Sequence, residues 1–282
     1  TIKKINLGFF MNHSNKFSRI TYGSSVHGKE EIEAIVEVLK SSTQMGKNVS
    51  LFEEKISGLF SKDYGLMTNS GSSALYLAIE SLQLKEGSEV ITPASTFATT
   101  VACLVKNNLV PSFVDVAKDT FCIDESLIES SISENTKAIL APDLLGNLCD
   151  WEEIKRIADK YNLLILHDSA DTLGAKLNGQ SPGIFSDLSI TSFYGSHIIN
   201  GAGNGGMLCT SDSEILRKGK LLRSWGRASS IFEDSESIEN RFKVSLDGIQ
   251  YDSKFIFEEV GYQLEPSEIS AAFGLVQLSK LE

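Results

Sequence analysis

The stretch LSITSFYGSHIINGAGNGG, residues 188–206, decides the fold class of this chain. Its first residues, Leu188 to Phe193, form an apolar run that predicts a buried strand. The polar, glycine-rich loop after it is typical of the place where α/β proteins bind ligands. Residues 188–208 contain one histidine, His197, and no lysine. Unlike a lysine, a histidine forms no stable Schiff base, but it can move protons near neutral pH. The alternative is that His197 is only a hydrogen-bonding surface residue, as many histidines in such loops are.

Short apolar strands alternate with helical segments along the chain around this stretch. The predicted strands are Gly65–Thr68, Glu89–Thr92, Pro111–Val114, Ala138–Ala141, Leu163–Leu166, Leu188–Phe193 and Gly206–Cys209. The predicted helices between them lie at about 72–83, 97–107, 124–132 and 151–161. This alternation predicts an α/β fold with a mostly parallel sheet flanked by helices on both faces. The link between the last two strands is too short for a helical crossover, so one of them is expected to run antiparallel.

Three regions are expected along the chain. Residues 1–28 lack hydrophobic periodicity and predict an N-terminal arm, and residues 29–225 form the large α/β domain. Near its start, Ser50 is the expected cap of a second helix. Residues 226–282 are expected to hold a loop and, by resemblance to longer proteins of similar sequence, the beginning of a small C-terminal domain that is largely missing from the chain. The part 226–256 is polar, with acidic residues at Glu233, Asp234, Glu236 and Glu239, and predicts either a solvated surface loop or a functional insertion.

Composition narrows the possible partners and location. The net charge of −11 and the pI near 5.0 argue against nucleic acid or an anionic membrane as the main partner. No apolar run is long enough to span a bilayer and no leader is recognised, so a cytoplasmic location is expected. The four cysteines lie too far apart in sequence for a zinc or iron–sulfur ligand set, and we expect no metal site and reduced, buried thiols.

Two further segments carry candidate binding residues. Thr68 to Ala74 lies between a strand and a helix, where the amides of Gly71, Ser72 and Ser73 could donate to a phosphate; the alternative is an ordinary turn with a serine cap. Asp168 directly follows a predicted strand and is well placed to face a ligand, or else caps the following turn. Phe97, after another strand, could stack on a planar ring or pack in the core.

Taken in order, these segments resemble the sugar aminotransferase family named for DegT, DnrJ, EryC1 and StrS, which has the fold type I architecture of pyridoxal 5′-phosphate (PLP) enzymes. The resemblance runs from about Ile20 to Leu281. The matching stretches are Asn69–Ala74, Pro111–Val116, Thr136–Ile139, Ala158–Leu163, Asp171–Gly174, Ser192–Tyr194, Trp225–Arg227 and Gly261–Leu264. His197 in the place of the usual lysine, together with Asp171, resembles the nucleotide-sugar 3-dehydratase branch, which acts on substrates such as GDP-4-keto-6-deoxymannose or CDP-4-keto-6-deoxyglucose.

The resemblance implies a role for each candidate residue. Gly71, Ser72 and Ser192 would hold the cofactor phosphate, Asp168 would pair with the pyridine nitrogen, and Phe97 would stack on the ring. His197 would be the acid–base catalyst of a reaction that joins a nucleotide-linked 4-keto-6-deoxyhexose to pyridoxamine 5′-phosphate (PMP), removes a proton at the C4′ carbon and expels the C3 hydroxyl. Glutamate is the implied amino donor, and a homodimer is expected because the family's sites lie at the subunit interface.

The chain also departs from its expected relatives. Some 3-dehydrases carry a cysteine cluster after their Trp-Gly-Arg segment for a [2Fe–2S] centre, but no cysteine follows Arg227 here, so no iron–sulfur cluster is expected. Gln263 stands where relatives usually have an asparagine that reaches the neighbouring subunit's phosphate. Two alternatives stay open: an aminotransferase with an altered base, and a non-catalytic member of the same fold.

Overall fold

The computed structural model describes residues 26–232 and 238–281. Within them, the α-helices are α1 (Lys29–Lys40), α2 (Lys47–Leu59), α3 (Gly71–Ser81), α4 (Ala98–Lys106), α5 (Trp151–Tyr161), α6 (Ser213–Arg223), α7 (Ile238–Arg241) and α8 (Glu268–Leu278). The strands are β1 (Tyr64–Thr68), β2 (Glu89–Pro93), β3 (Val110–Val114), β4 (Thr136–Pro142), β5 (Leu164–Asp168), β6 (Leu188–Ser192), β7 (Gly206–Thr210), β8 (Val244–Leu246) and β9 (Ile249–Tyr251).

The first seven strands form one sheet in the order β1-β7-β6-β5-β4-β2-β3. Strands β2 to β6 pair in parallel, whereas β7 runs antiparallel to both of its neighbours. The predicted α/β fold and the antiparallel last pair are therefore confirmed, and each strand lies within two residues of its predicted bounds. The strands are recognisable in the sequence because both faces of a mostly parallel sheet are buried.

Helices cover both faces of the sheet, as the alternation of strands and helices predicts. In β4, Leu140 packs in a cluster with α3, α4 and α6, while Ile139 packs on the opposite side with α5. Near the β1 edge, Phe52 of α2 and Ala271 of α8 pack with Met67 and other buried residues in a third cluster. With the faces filled in this way, the carboxyl ends of the parallel strands and their loops are the part of the sheet left for a ligand.

The prediction of a helix at 124–132 is wrong. The structure has two short 3₁₀ turns there, Glu125–Leu127 and Glu129–Ser131. The Asp124 carboxylate accepts the N–H of Ser126, and the hydroxyls of Ser130 and Ser131 donate to the carbonyl of Leu127. Such short side chains compete with helical hydrogen bonds and favour turns instead.

The prediction of Ser50 as a helix cap is also wrong, because α2 already begins at Lys47. Its first turn is capped by the carboxylate of Glu268, which accepts the N–H groups of Gly46, Asn48 and Val49 at 2.9, 2.7 and 3.2 Å. A carboxylate at a helix N-terminus satisfies free amides and favours the helix dipole. Since Glu268 begins α8, this contact also joins the two helices.

The segment expected to be irregular, 226–256, contains short regular elements. A 3₁₀ turn at Ala228–Ile231, helix α7 and the hairpin of β8 and β9 lie within it. Of the predicted acidic cluster, Glu239 lies in α7, whereas Glu233, Asp234 and Glu236 fall outside the described residues. The division of the chain at residues 225 and 226 stays a prediction. No helix among the described residues has the length and hydropathy needed to cross a membrane.

Candidate active site

The ends of β1 and β6 and the start of β7 place the turn predicted to bind phosphate, Thr68 to Ala74, beside Ser192. Thr68 at the end of β1 pairs with Gly206, and Gly206 also pairs with Ser192 at the end of β6. A Cβ on Gly71 would lie 2.5 Å from the Cβ of Ser192, and one on Gly206 would lie 2.5 Å from the amide nitrogen of Gly71. Only glycine permits this close approach of backbones. The sheet register therefore brings Gly71 and Ser192, which lie far apart in sequence, to one place.

The turn before α3 is held by its own serines. Ser70 caps the helix by accepting the N–H of Ser73 at 3.1 Å, and the Ser73 hydroxyl donates to Asn69 Oδ1 at 2.6 Å. The Ser72 hydroxyl lies 3.2 Å from that of Thr99. The first amides of a helix, here Gly71 and Ser72, have no intrahelical acceptor, so this end of α3 suits an anion. Ser73 shapes the turn, and its contact with a ligand stays a prediction.

Asp168, at the carboxyl end of β5, is a buried carboxylate with few partners. It is 8% exposed, and the N–H of Ala170 donates to its Oδ1 at 3.1 Å. Burial raises its pKa from 3.8 to about 6, against the lowering effect of the Ala170 hydrogen bond. A buried carboxylate that lacks a cation is stabilised when a positively charged ligand group binds to it. The site fits a ring nitrogen that carries a proton.

His197 lies in the loop after β6, next to Asp171. Its backbone N–H donates to the Tyr194 carbonyl at 3.0 Å, and its Nε2 lies 3.9 Å from Asp171 Oδ1. The N–H of Leu145 donates to the other Asp171 oxygen at 3.1 Å. Among the described residues, nothing hydrogen-bonds to His197 Nδ1, which is shielded from solvent. The structure thus brings the predicted pair together and leaves one imidazole nitrogen without a protein partner.

Phe97 and Gln263 are the least defined members of the predicted site. Phe97 precedes α4 and its side chain is 73% exposed. Gln263 is exposed and pairs through its backbone with Ser224. The expected stacking of Phe97 on a ring and the expected contact of Gln263 with a neighbouring subunit stay predictions.

The sequence interpretation missed a buried network around Asp143. This residue follows β4 directly, and its backbone N–H donates to the carbonyl of Asp168 at 2.9 Å. Its carboxylate accepts hydrogen bonds from Cys149 N, Trp151 Nε1 and Thr172 Oγ1, and lies 2.8 Å from His167 Nε2. Asp143 therefore supports the strand end that carries Asp168. A carboxylate directly after an apolar strand, the same signal that marks Asp168, could have identified it.

Comparison with known proteins places this geometry in context. Residues 25–282 match the model of the DegT/DnrJ/EryC1/StrS aminotransferase family. The lipopolysaccharide biosynthesis protein RfbH of Salmonella typhimurium is 38% identical over 269 residues, which are 91% of this chain and 61% of RfbH. This chain therefore spans less than two thirds of that relative's length.

Two solved structures represent the two activities among the relatives. A GDP-4-keto-6-deoxymannose-3-dehydratase with a trapped PLP-glutamate geminal diamine superimposes with a TM-score of 0.84 at 30% identity, covering 93% of this chain and 68% of that one. Helicobacter pylori PseC, an aminotransferase involved in the biosynthesis of pseudoaminic acid, gives a TM-score of 0.80 at 29% identity, covering 94% and 66%. These two proteins share a fold but carry different activities, a dehydratase and an aminotransferase.

Proposed function

We propose a 3-dehydratase activity for this chain, which belongs to the DegT/DnrJ/EryC1/StrS aminotransferase family of PLP-dependent enzymes. The substrate would be a nucleotide-linked 4-keto-6-deoxyhexose, and the product would lack its C3 oxygen. The observation that carries the proposal is His197, which lies 3.9 Å from Asp171 and, by the family resemblance, occupies the position of the aminotransferases' lysine. The similarity to a GDP-4-keto-6-deoxymannose-3-dehydratase supports it.

The residues present fit a PLP or PMP cofactor. The amides of Gly71 and Ser72 and the hydroxyl of Ser192 would hold its phosphate, since the close packing of Gly71 on Ser192 leaves these donors side by side. Asp168 would pair with the ring nitrogen and hold its proton, because a cation there compensates the buried carboxylate. When bound, the protonated ring supplies an electron sink for negative charge on the adjacent carbon.

His197 would move the proton in this reaction. Its side chain is 23% exposed, and the imidazole would accept a proton and return it to the departing C3 oxygen. The Asp171 carboxylate, 3.9 Å from Nε2, would orient the imidazole for this transfer. A lysine at this position would instead bond covalently to the cofactor, which would return the site to transamination.

The source of the amino group would be glutamate, which is trapped with PLP in the similar 3-dehydratase structure. Reduction through a [2Fe–2S] centre is not part of the proposal, because no cysteine follows Arg227 to ligate one. A homodimer is part of the proposal, since Gln263 would then contribute its exposed amide to the partner's site.

A product assay tests the activity. The protein is incubated with PLP, glutamate and a GDP- or CDP-linked 4-keto-6-deoxyhexose, and the sugar nucleotide is analysed by mass spectrometry. We expect a product that lacks one oxygen atom. A product in which an amine replaces the ketone would show the aminotransferase activity that the similarity to PseC favours. An intact substrate, with a folded protein that binds no PLP by absorbance, would support the non-catalytic alternative.

Substitutions at His197 separate proton transfer from cofactor binding. His197→Lys introduces an amine that can bond to the cofactor, so borohydride should fix PLP on the protein and deoxygenation should be lost. His197→Asn is the matched control, since it removes the proton-transfer group without adding an amine. It should bind PLP reversibly and give no deoxygenated product. Deoxygenation at the wild-type rate by either variant would contradict the role of His197.

A further inference from the structure

Two cysteines that lie 27 positions apart in sequence come together at the carboxyl edge of the sheet. Cys122 lies in the loop after β3 and Cys149 in the loop after β4. Their Sγ atoms and a carboxylate oxygen of Asp143 all lie within 4.8 Å of one another. Each cysteine is 2% exposed. The proposed reaction uses neither thiol.

Asp143 is poorly suited to complete a metal site with these sulfurs. Its two oxygens already accept hydrogen bonds from the backbone of Cys149 and from Trp151 and Thr172, and they pair with His167. A carboxylate whose acceptor sites are occupied by buried donors would have to give them up to bind a metal ion. The two thiols are therefore better considered as a pair with each other.

The thiols of this pair are not equivalent. The Cys149 thiol donates to the Pro142 carbonyl at 3.4 Å, and the Cys122 thiol donates to the Asn147 carbonyl at 3.6 Å. The interaction between the two sulfurs lowers the pKa of Cys122, and the same interaction, together with burial, raises the pKa of Cys149. Burial raises the pKa of Cys103 to about 12 and also raises that of Cys209. Because the thiolate is the nucleophilic form, Cys122 is the thiol of the four that is best prepared to react.

We propose that Cys122 and Cys149 are a dithiol that hydroperoxides oxidise to an intramolecular disulfide. The Cys122 thiolate attacks one peroxide oxygen, the O–O bond breaks, and a sulfenic acid and an alcohol or water form. The Cys149 sulfur then attacks the sulfenic sulfur, the S–S bond forms, the S–O bond breaks and water leaves. Two thiols are oxidised and one peroxide is reduced.

A disulfide between these two cysteines would form in a loop that contacts the candidate site. The loop that carries Cys149 also carries Leu145, whose N–H donates to Asp171 beside His197. Leu145 and Gly146 both adopt left-handed backbone conformations, with φ of 56° and 84°. A disulfide draws its sulfurs to about 2.05 Å and constrains their side chains, so it would form within the loop that supports Asp171.

Peptide mapping of the whole protein tests the proposal. The reduced protein is treated with hydrogen peroxide, its remaining thiols are blocked with N-ethylmaleimide in denaturant, and the digest is analysed by mass spectrometry without reduction. We expect one cross-linked peptide joining Cys122 to Cys149, reversed by dithiothreitol, with Cys103 and Cys209 alkylated. Four alkylated thiols after peroxide, or a disulfide between any other pair, would overturn the proposal.

Single variants test the order of events. In Cys149→Ser, the sulfenic acid of Cys122 should persist and be trapped by dimedone, whereas Cys122→Ser should give no such adduct at Cys149. Cys209→Ser is the matched control and should form the disulfide as the wild type does. Stoichiometric zinc binding that protects Cys122 and Cys149 from alkylation would identify a metal site instead and overturn the dithiol. Mapping of the wild type needs no variant, so a variant that fails to fold leaves the main test intact.

Discussion

Two buried carboxylates in this molecule have pKa values that are shifted in opposite directions. Glu31 of α1 is 0% exposed, and its oxygens accept hydrogen bonds from Gly28 N, Gln277 Nε2 and Lys280 Nζ at 2.8, 2.7 and 2.6 Å. Burial raises its pKa, but these hydrogen bonds outweigh burial and bring the pKa to about 2. Asp168 accepts one backbone N–H, and burial raises its pKa to about 6.

The difference separates a structural carboxylate from one prepared for a ligand. Glu31 joins α1 to α8 and is fully paired within the chain. Asp168 is held at a strand end without a cation, and its ionisation costs stability in the free protein. A buried ionisable group with a shifted pKa in a ligand-binding position is characteristic of functional sites. The comparison therefore supports a positively charged ligand atom beside Asp168.

The largest expected effect is on turnover. Asp168→Asn keeps the size and the acceptor for Ala170 but removes the charge that would hold a proton on the ring nitrogen. We expect kcat to fall by about 10²-fold or more, with a smaller change in PLP affinity. Steady-state assays of product formation and PLP titrations measure the two. Glu31→Gln is the matched control and should leave kcat unchanged, because that carboxylate lies between α1 and α8. Wild-type turnover by Asp168→Asn would remove Asp168 from the mechanism.

A smaller effect is expected on stability when the paired carboxylate is neutralised. Glu31→Gln loses the charge that Lys280 and the Gly28 amide stabilise, so the free energy of unfolding at pH 7 should fall by about 2–3 kcal/mol. Since the folded pKa of Glu31 is about 2 and its ordinary value is 4.5, this stability is present above pH 4.5 and is lost as the pH falls towards 2. Urea unfolding of both proteins between pH 7 and pH 3 measures the difference, which should shrink on acidification. An equal difference in the free energy of unfolding at pH 7 and pH 3 would contradict a folded pKa of about 2 for Glu31.

Local sequence patterns predicted the sheet and indicated some of the candidate site residues. The seven strands are short apolar runs bounded by turns, and this signal is strongest in central strands such as β6 and β7, which are buried on both faces. Gly71 and Asp168 were identified because strand ends followed by small or polar residues are common binding positions, whereas the roles of Ser192 and His197 came from the family resemblance. The signals for the strands and for Gly71 and Asp168 are each contained within one strand and the turn that follows it.

What the sequence did not predict depends on partners distant in the chain. The α2 cap comes from Glu268, which lies more than 200 positions away, so the search for a local cap selected Ser50 wrongly. Asp143 becomes informative only when the sheet places it against His167 and Trp151. Cys122 and Cys149 lacked the close spacing of a ligand pair, and the two loops bring them together only in the fold.

The smallest expected effect is a gain in the protein's free energy of unfolding when Asp168 is neutralised. A carboxyl group whose folded pKa, about 6, exceeds its ordinary value of 3.8 loses stability as the pH rises through that interval. At pH 8 the ionised Asp168 therefore destabilises the cofactor-free protein, and Asp168→Asn should raise its free energy of unfolding by about 1–2 kcal/mol. Near pH 4 the two proteins should be equally stable. Urea unfolding without PLP measures both values, and the Asp168→Asn variant should lose its advantage when PLP is added, because only the charged carboxylate pairs with a protonated ring. If Asp168→Asn is less stable than the wild type at pH 8, the negative charge of Asp168 is stabilised by groups within the chain, as the charge of Glu31 is.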